Sequence, residues 1–387
     1  MAAQDTPGEA LAALIDQFLT AGGERAAPII EYDGSVTWLY RDAEAETVSV
    51  VGDILGYDPN RTRMAKLSGT DLFYLTASIP LDAQICYLFA VDNPREIDGH
   101  EMAWGAWQAR CKTDPLNRRK LFEINPLRAR SLLEMPGAPS SFDSAESGTD
   151  SGVQLSHQVI ESAALGECRR VWIYTPKNYR PRGAQHPTLY LLNGESYLIS
   201  ARLTRLLEAM LATVEMQIPL VVFVESVVHH DEEDRPAESY AQFFADELVP
   251  WVEARYNVSR RPQDRVVGGV SVGGDLGLYA ALDRPDIFGG ALIQSPAPAL
   301  AEDEISAQIA HNAERGFAPP RCYIDIGRYE QPAFIEYTHA LCNTLLQAGA
   351  AVSYQEFAGD HSFAGWRTTL PDGIYFHFGT VAPLEDL

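Results

Sequence analysis

The 387-residue chain lacks any apolar run approaching the ~18 residues that a membrane span requires, so no bilayer-crossing segment is expected. Its five cysteines, Cys86, Cys111, Cys168, Cys322 and Cys342, are odd in number, widely scattered and without a C-x-x-C pair. That excludes a disulfide framework and fits a reducing cytoplasm. Basic charge is scarce: 30 Lys and Arg against 53 Asp and Glu leave a net charge of −23. Such a balance argues against nucleic acid as a partner, and against anionic substrates unless the site is locally basic. The start lacks the basic and then apolar pattern of a secretory leader, because Asp5, Glu9 and Asp16 occupy it. Fixed-period repeats are also missing. What is present is 46% hydrophobic residues with ordinary glycine and proline usage, the composition of a soluble globular protein long enough for two domains.

Residues 9–19 place Leu11, Leu14, Ile15, Phe18 and Leu19 at helical spacing, ending at Gly22-Gly23. This amphipathic helix, within a lead-in over 1–27, is expected to pack on the neighbouring domain. From 28 to 135 the pattern changes to short alternating runs, "SVTWLYRD", "TVSVVGD", "DLFYLTASI" and "ICYLFAVD", separated by Gly, Pro, Asp and Asn. No helix-length periodic segment interrupts them before residue 110, which predicts a small antiparallel β-sandwich. The serine-rich stretch 136–154 reads as a linker. Beyond it, over 155–387, apolar strand candidates alternate with helical patterns: "RRVWIYTP", "TLYLLNG", "PLVVFVES", "RVVGGVS", "GGALIQS", "RCYIDIG" and "VSYQEFAG". Such alternation, with helices clearest at 236–255 and 275–283, builds an α/β domain whose sheet carries helices on both faces.

Within "VVGGVSVGGDLGLYAAL", Gly269-Val270-Ser271-Val272-Gly273 fits G-x-S-x-G with a strand before it and a helix after, the context of an α/β-hydrolase nucleophile. A serine hydroxyl needs a base, and in that fold the partners follow in the order serine, acid, histidine. Four histidines lie downstream. His339 and His311 sit in helical patterns and His377 in a terminal aromatic segment, whereas His361 lies on a glycine-containing loop after the last predicted strand. His361 is the expected base. The acid should follow the preceding strand, where Glu330 stands three residues beyond Gly327. Asp325, inside the strand, and Asp360, beside the histidine, are its rivals. The Val272 amide and the amide of Glu195 or Gly194, in "LLNGESY", are the expected oxyanion donors. His229-His230 before "DEED" invites a metal reading, but the spacing is poor and a solvated acidic loop is the better account. Neither metal nor cofactor is expected.

Taken together these segments resemble the enterochelin esterase family, cytoplasmic hydrolases of catecholate siderophore esters. The likeness runs through "VTWLYRD", "LSGTDLFYLT", "DPLN" and "LLEMPGAP" in the first domain. In the second it runs through "RRVWIYTP", "LLNGE", the stretch from Arg235 to Tyr256, "GGVSVGGDLGLYAAL" and "GDHSFAGWR". The resemblance implies an immunoglobulin-like sandwich that helps cover the active site of a C-terminal α/β-hydrolase domain, with Ser271 and His361 in the catalytic roles. It also implies substrate contacts from Arg235 and the pair Trp366-Arg367. Where the family has Asp-Gly and then a tryptophan, this chain has Asn193-Gly194 and Tyr197, which makes Tyr197 a further candidate. After Ser295, where the family often has aromatics, it has "PAPAL". The leading expectation is a serine esterase acting on a small-molecule siderophore lactone. A broader carboxylesterase for neutral acyl or aryl esters is the alternative, and a glycan-binding sandwich joined to a degenerate hydrolase is a third reading.

Overall fold

The computed structural model describes residues 7–22, 27–94, 96–97, 100–102, 104–122, 129–139, 154–225, 236–298 and 300–379. The chain divides into two compact units. The first comprises Met1–Pro139 and Ala358–Gly365, and the second Ser140–Phe357 and Trp366–Leu387. A boundary drawn along the sequence does not foresee the late excursion at 358–365, because it is made by contacts far apart in the chain.

The first unit opens with helix α1 (Pro7–Gly22) and continues through β1 (Ile29–Ile30), β2 (Ser35–Arg41), β3 (Val48–Val51), β4 (Ala65–Lys66), β5 (Leu72–Ser78) and β6 (Gln84–Val91). A hairpin of β7 (Glu96–Ile97) and β8 (His100–Glu101), helix α2 (Trp104–Arg110), β9 (Lys120–Phe122) and β10 (Ala129–Glu134) complete it. Two four-stranded antiparallel sheets, β1-β2-β5-β4 and β3-β6-β10-β9, form the predicted sandwich. Alternation places Trp38 and Tyr40 of β2 against Tyr87 and Phe89 of β6, with ring centroids 5.9 and 4.9 Å apart. The "DPLN" segment supports this core from within. Buried Asp114 accepts the Tyr87 hydroxyl at 2.6 Å, and Asn117 donates to the same oxygen at 3.0 Å. Helix α1 buries Ile15, with Leu11 and Leu19, against Leu39 and Leu72, while Leu14 and Phe18 of the expected apolar face are exposed. Helix α2 corrects the expectation of an uninterrupted run of strands. It is too short for periodicity to reveal, and it forms because Trp107 is buried with Val51, Leu88 and Ala90.

The second unit carries β11 (Gln154–Ser162), β12 (Glu167–Thr175), β13 (Thr188–Leu191), α3 (Gly194–Ile199), α4 (Leu203–Thr213), β14 (Leu220–Val224) and α5 (Ala237–Gln242). A π-helical turn at Phe243–Leu248 leads into α6 (Val249–Glu253), then β15 (Arg265–Val270), α7 (Val272–Asp283) and β16 (Gly290–Gln294). Helix α8 (Glu302–Glu314), β17 (Arg321–Gly327), α9 (Pro332–Gln347), β18 (Val352–Phe357) and α10 (Phe363–Phe378) follow, the first turn of α10 belonging by contact to the first unit. All seven predicted strands form. Together with β11 they make one eight-stranded sheet in the order β11-β12-β14-β13-β15-β16-β17-β18. The first two pairings are antiparallel and the rest parallel. The parallel strands β13 to β16 are buried along their length, which is why they read as unbroken apolar runs. This is the α/β-hydrolase architecture, and it brings the carboxyl ends of β13, β15, β16 and β17 to one edge of the sheet. Among the described residues no helix is long and apolar enough to cross a membrane.

Candidate active site

Ser271 occupies the one-residue corner between β15 and α7 with φ 54° and ψ −132°, a conformation costly for a residue with a side chain. The corner is held by three bonds. Ser271 N–H donates to the Gln294 carbonyl of β16 at 2.9 Å, and its own carbonyl accepts Gly274 N–H at 2.8 Å and Asp275 N–H at 3.4 Å. The surrounding glycines are dictated by space. A Cβ on Gly277 would stand 2.5 Å from the Gly268 Cα, and one on Gly269 would stand 2.9 Å from the Gly273 backbone. Helix and strand therefore touch backbone to backbone, and the corner can turn no other way. Ser271 and Val272 are half-buried, and Val272 opens α7, where a first-turn amide has no acceptor inside the helix.

The turn after β13 lies beside this corner. Asn193 is left-handed at φ 60°, and its side chain packs against Gly273, where any Cβ would collide with it. Gly194 sits so close to β14 that a Cβ would meet Phe223 Cβ and Val224 N–H at 2.7 Å. The amides of Gly194 and Glu195 belong to the first turn of α3, whose next two amides, of Ser196 and Tyr197, bond to the Asn193 carbonyl.

At the end of β17 the chain turns through Gly327, and Glu330 folds back on it. The Glu330 carboxylate accepts Gly327 N–H at 2.8 Å and the Ser295 hydroxyl at 2.5 Å. Ser295 is itself buried at φ 45°, and its hydroxyl oxygen accepts the Trp366 indole N–H at 2.7 Å. Asp325 has a different setting inside β17. It is fully buried, accepting Gln294 Nε2 at 2.8 Å and Thr369 Oγ1 at 2.6 Å, and burial pushes its carboxyl up to about 7. His361 lies four residues past the end of β18, on the segment that belongs to the first unit, and is half-buried. His311, His339 and His377 all lie in helices, α8, α9 and α10.

Two expected substrate contacts, Tyr197 and Trp366, are buried. Tyr197 is fully buried and donates its hydroxyl to Gln294 Oε1 at 3.0 Å. Trp366 is 5% exposed, committed to Ser295 through its indole and to Gln294 through its carbonyl. Both are bonded to the end of β16, Tyr197 to Gln294 and Trp366 to Gln294 and Ser295. Arg367 is half-buried on α10. Arg235, the His229-His230 pair and the acidic run 231–234 lie outside the described residues, as does most of the expected linker. Among the described residues no group of His, Cys, Asp or Glu is placed to hold a metal ion. Ser295, Gln294 and Asn193 have roles that sequence reasoning did not assign. Their one local signal is a polar residue at or just beyond the end of an apolar strand.

Residues 162–377 match the family described as putative esterase, and residues 35–144 match the enterochelin esterase N-terminal domain. The chain belongs to the enterochelin esterase family. The esterase is 25% identical over 398 residues to the iron(III) enterobactin esterase of Dickeya dadantii, covering 90% of this chain and 89% of that protein. The crystal structure of ferric enterobactin esterase from Salmonella typhimurium aligns with a TM-score of 0.73 at 22% identity, over 90% of this chain and 95% of that one. The enterobactin esterase of Shigella flexneri, solved in the presence of enterobactin, aligns with a TM-score of 0.72 at 22% identity, over 88% and 92% of the two chains. At these identities the structures establish the shared fold. The esterase is a carboxylic ester hydrolase of two domains, a sandwich followed by an α/β-hydrolase domain.

Proposed function

We propose that the esterase cleaves the ester bonds of a catecholate siderophore lactone through an acyl-enzyme, with Ser271 as nucleophile, His361 as base and Glu330 as the acid that orients the imidazole. The observation that carries the reading is the Ser271 corner, whose strained backbone is sustained by glycines that touch each other. His361 accepts the hydroxyl proton as Ser271 Oγ bonds to the ester carbonyl carbon. The negative charge that develops on the carbonyl oxygen meets the amides of Val272 and of Glu195 or Gly194. Collapse breaks the bond to the alcohol oxygen, which takes the proton from His361, and water then repeats the sequence to release the acid. Glu330 is favoured over Asp325 because it stands on the loop beyond β17, whereas Asp325 lies fully buried inside the strand, where it bonds to Gln294 and Thr369. Any iron enters as part of the substrate.

The named substrate of the relatives supports the siderophore reading. A second reading, a carboxylesterase for neutral acyl or aryl esters, is favoured by residues 296–298, Pro-Ala-Pro, which offer no aromatic surface after β16. The same proposal places the reaction in the cytoplasm, supported by five cysteines none of which is joined in a disulfide. Rates on enterobactin, its ferric complex and a short aryl ester separate the substrates. A kcat/KM on either siderophore form about tenfold or more above the aryl ester supports the first reading, and the reverse supports the second. Ser271→Ala, folded as judged by circular dichroism, is expected to lose both hydrolysis and covalent labelling by a fluorophosphonate. Undiminished hydrolysis would remove Ser271 from the mechanism.

A further inference from the structure

Within the first unit, the loop that carries His361 is fastened strand-fashion to β6. Strand β6 is flanked by β10 along Gln84–Tyr87, while β3 covers its other edge only along Leu88–Val91. The uncovered half-edge is taken by residues 358–360. Gln84 N–H donates to the Ala358 carbonyl at 2.9 Å, and Gln84 pairs with Gly359 in parallel register. At the next position Cys86 N–H is met by a side chain, the Asp360 Oδ2 at 2.7 Å. The other oxygen of Asp360 accepts the Ser362 hydroxyl at 2.5 Å, and Ser362 Oγ in turn accepts Ala364 N–H at 3.2 Å, capping the start of α10. Between them His361 donates its own N–H to Asp53 Oδ2 at 3.3 Å. Three consecutive residues, 360 to 362, are thus pinned by their neighbours, and Asp360 takes part on both sides of the histidine.

We infer that Asp360 is a positioning residue for the base, and that β6 and Asp53 supply the hold on His361 that the reaction requires. The inference rests on His361 acting as base. Asp360 is fully buried, and burial together with the neighbouring Asp53 pushes its carboxyl up to about 7. A group sealed away at that cost is retained for the two bonds it makes, and both bonds fix the backbone on either side of the imidazole.

The test measures kcat, KM and the rate of fluorophosphonate labelling of Ser271 in the full-length esterase, with a short aryl ester as substrate. Ser271→Ala and His361→Ala are run beside the positioning variants. If either keeps parental activity, the triad reading fails, whatever Asp360 does. With both silent, Asp360→Ala is expected to lower kcat and the labelling rate by about thirtyfold or more, with KM held within about threefold. Asp360→Asn keeps an oxygen for Cys86 N–H and a donor for Ser362, and should recover to within about threefold of the parent. Asp360→Ala within about twofold of the parent overturns the inference, as does an Asp360→Asn that falls equally far. Should Asp360→Ala not fold, Asp53→Ala is judged by kcat, KM and labelling alone. A fall of about fivefold or more in kcat at constant KM supports the inference, and a smaller effect overturns it.

Discussion

The loops bearing Glu330 and His361 leave neighbouring parallel strands, β17 and β18, yet they are held by different means. The acid loop is closed locally: Glu330 reaches back three residues to Gly327 and one strand across to Ser295. The base loop makes its bonds to Gln84, Cys86 and Asp53, all in the first unit. A locally closed loop is specified by a few residues and a glycine turn. A loop held by distant partners is specified only once the whole chain has folded. Two members of the proposed catalytic set therefore differ in what their precision depends on.

Substitutions can break that contrast or sharpen it. The largest effect belongs to His361→Ala, expected to lower kcat by about 10⁵- to 10⁶-fold, with Glu330→Gln falling by about 10⁴-fold under the same assay. The reverse order would transfer the acid's role to Asp325 or Asp360. Ser295→Ala takes from Glu330 its hydroxyl donor and leaves the Trp366 indole N–H buried without its acceptor. It should cost about 1–3 kcal/mol in denaturant unfolding and about tenfold in kcat. A loss of stability alone would mean that Glu330 is positioned without Ser295. The smallest activity effect is expected from Asp325→Asn, with kcat at neutral pH within about threefold of the parent. Its signature lies in stability. The folded carboxyl titrates at about 7 against 3.8 for the ordinary group, so between those values the folded state holds more protons than the unfolded one. Stability from this site is full below pH 4 and is lost as pH rises to 7. Unfolding measured across that range should show a shallower decline in Asp325→Asn, and an unchanged slope would refute the assignment.

Much of the α/β-hydrolase domain was legible because its signals are local. Strands such as Leu220–Val224 are buried at every position, so hydrophobicity alone marks them, and the glycines around Ser271 mark the corner by their density. Strand β11 was not legible. Seven of its nine residues lack full burial, and "QLSHQVIES" gains its form from the ladder with β12. The helical stretch 236–255 was readable as helix, but the π-helical turn at Phe243–Leu248 was not, since it shifts the backbone ladder and leaves composition unchanged. At the site, sequence order nominated Ser271, Glu330 and His361. It did not foresee the burial of Tyr197 and Trp366, because an aromatic residue next to a motif reads the same whether it lines a pocket or closes the core beneath it. Ser295 escaped notice for a related reason: its importance lies in a hydroxyl that joins two residues 35 and 71 positions away.

The bond between Cys86 and Asp360 spans 274 positions of sequence. As the chain is synthesised, the half-edge of β6 at Gln84–Cys86 therefore waits for its partner until the strands of the α/β-hydrolase sheet have all been made. The sandwich precedes that sheet in sequence yet is finished after it, and it must pass that interval with an unpaired strand edge open to other chains.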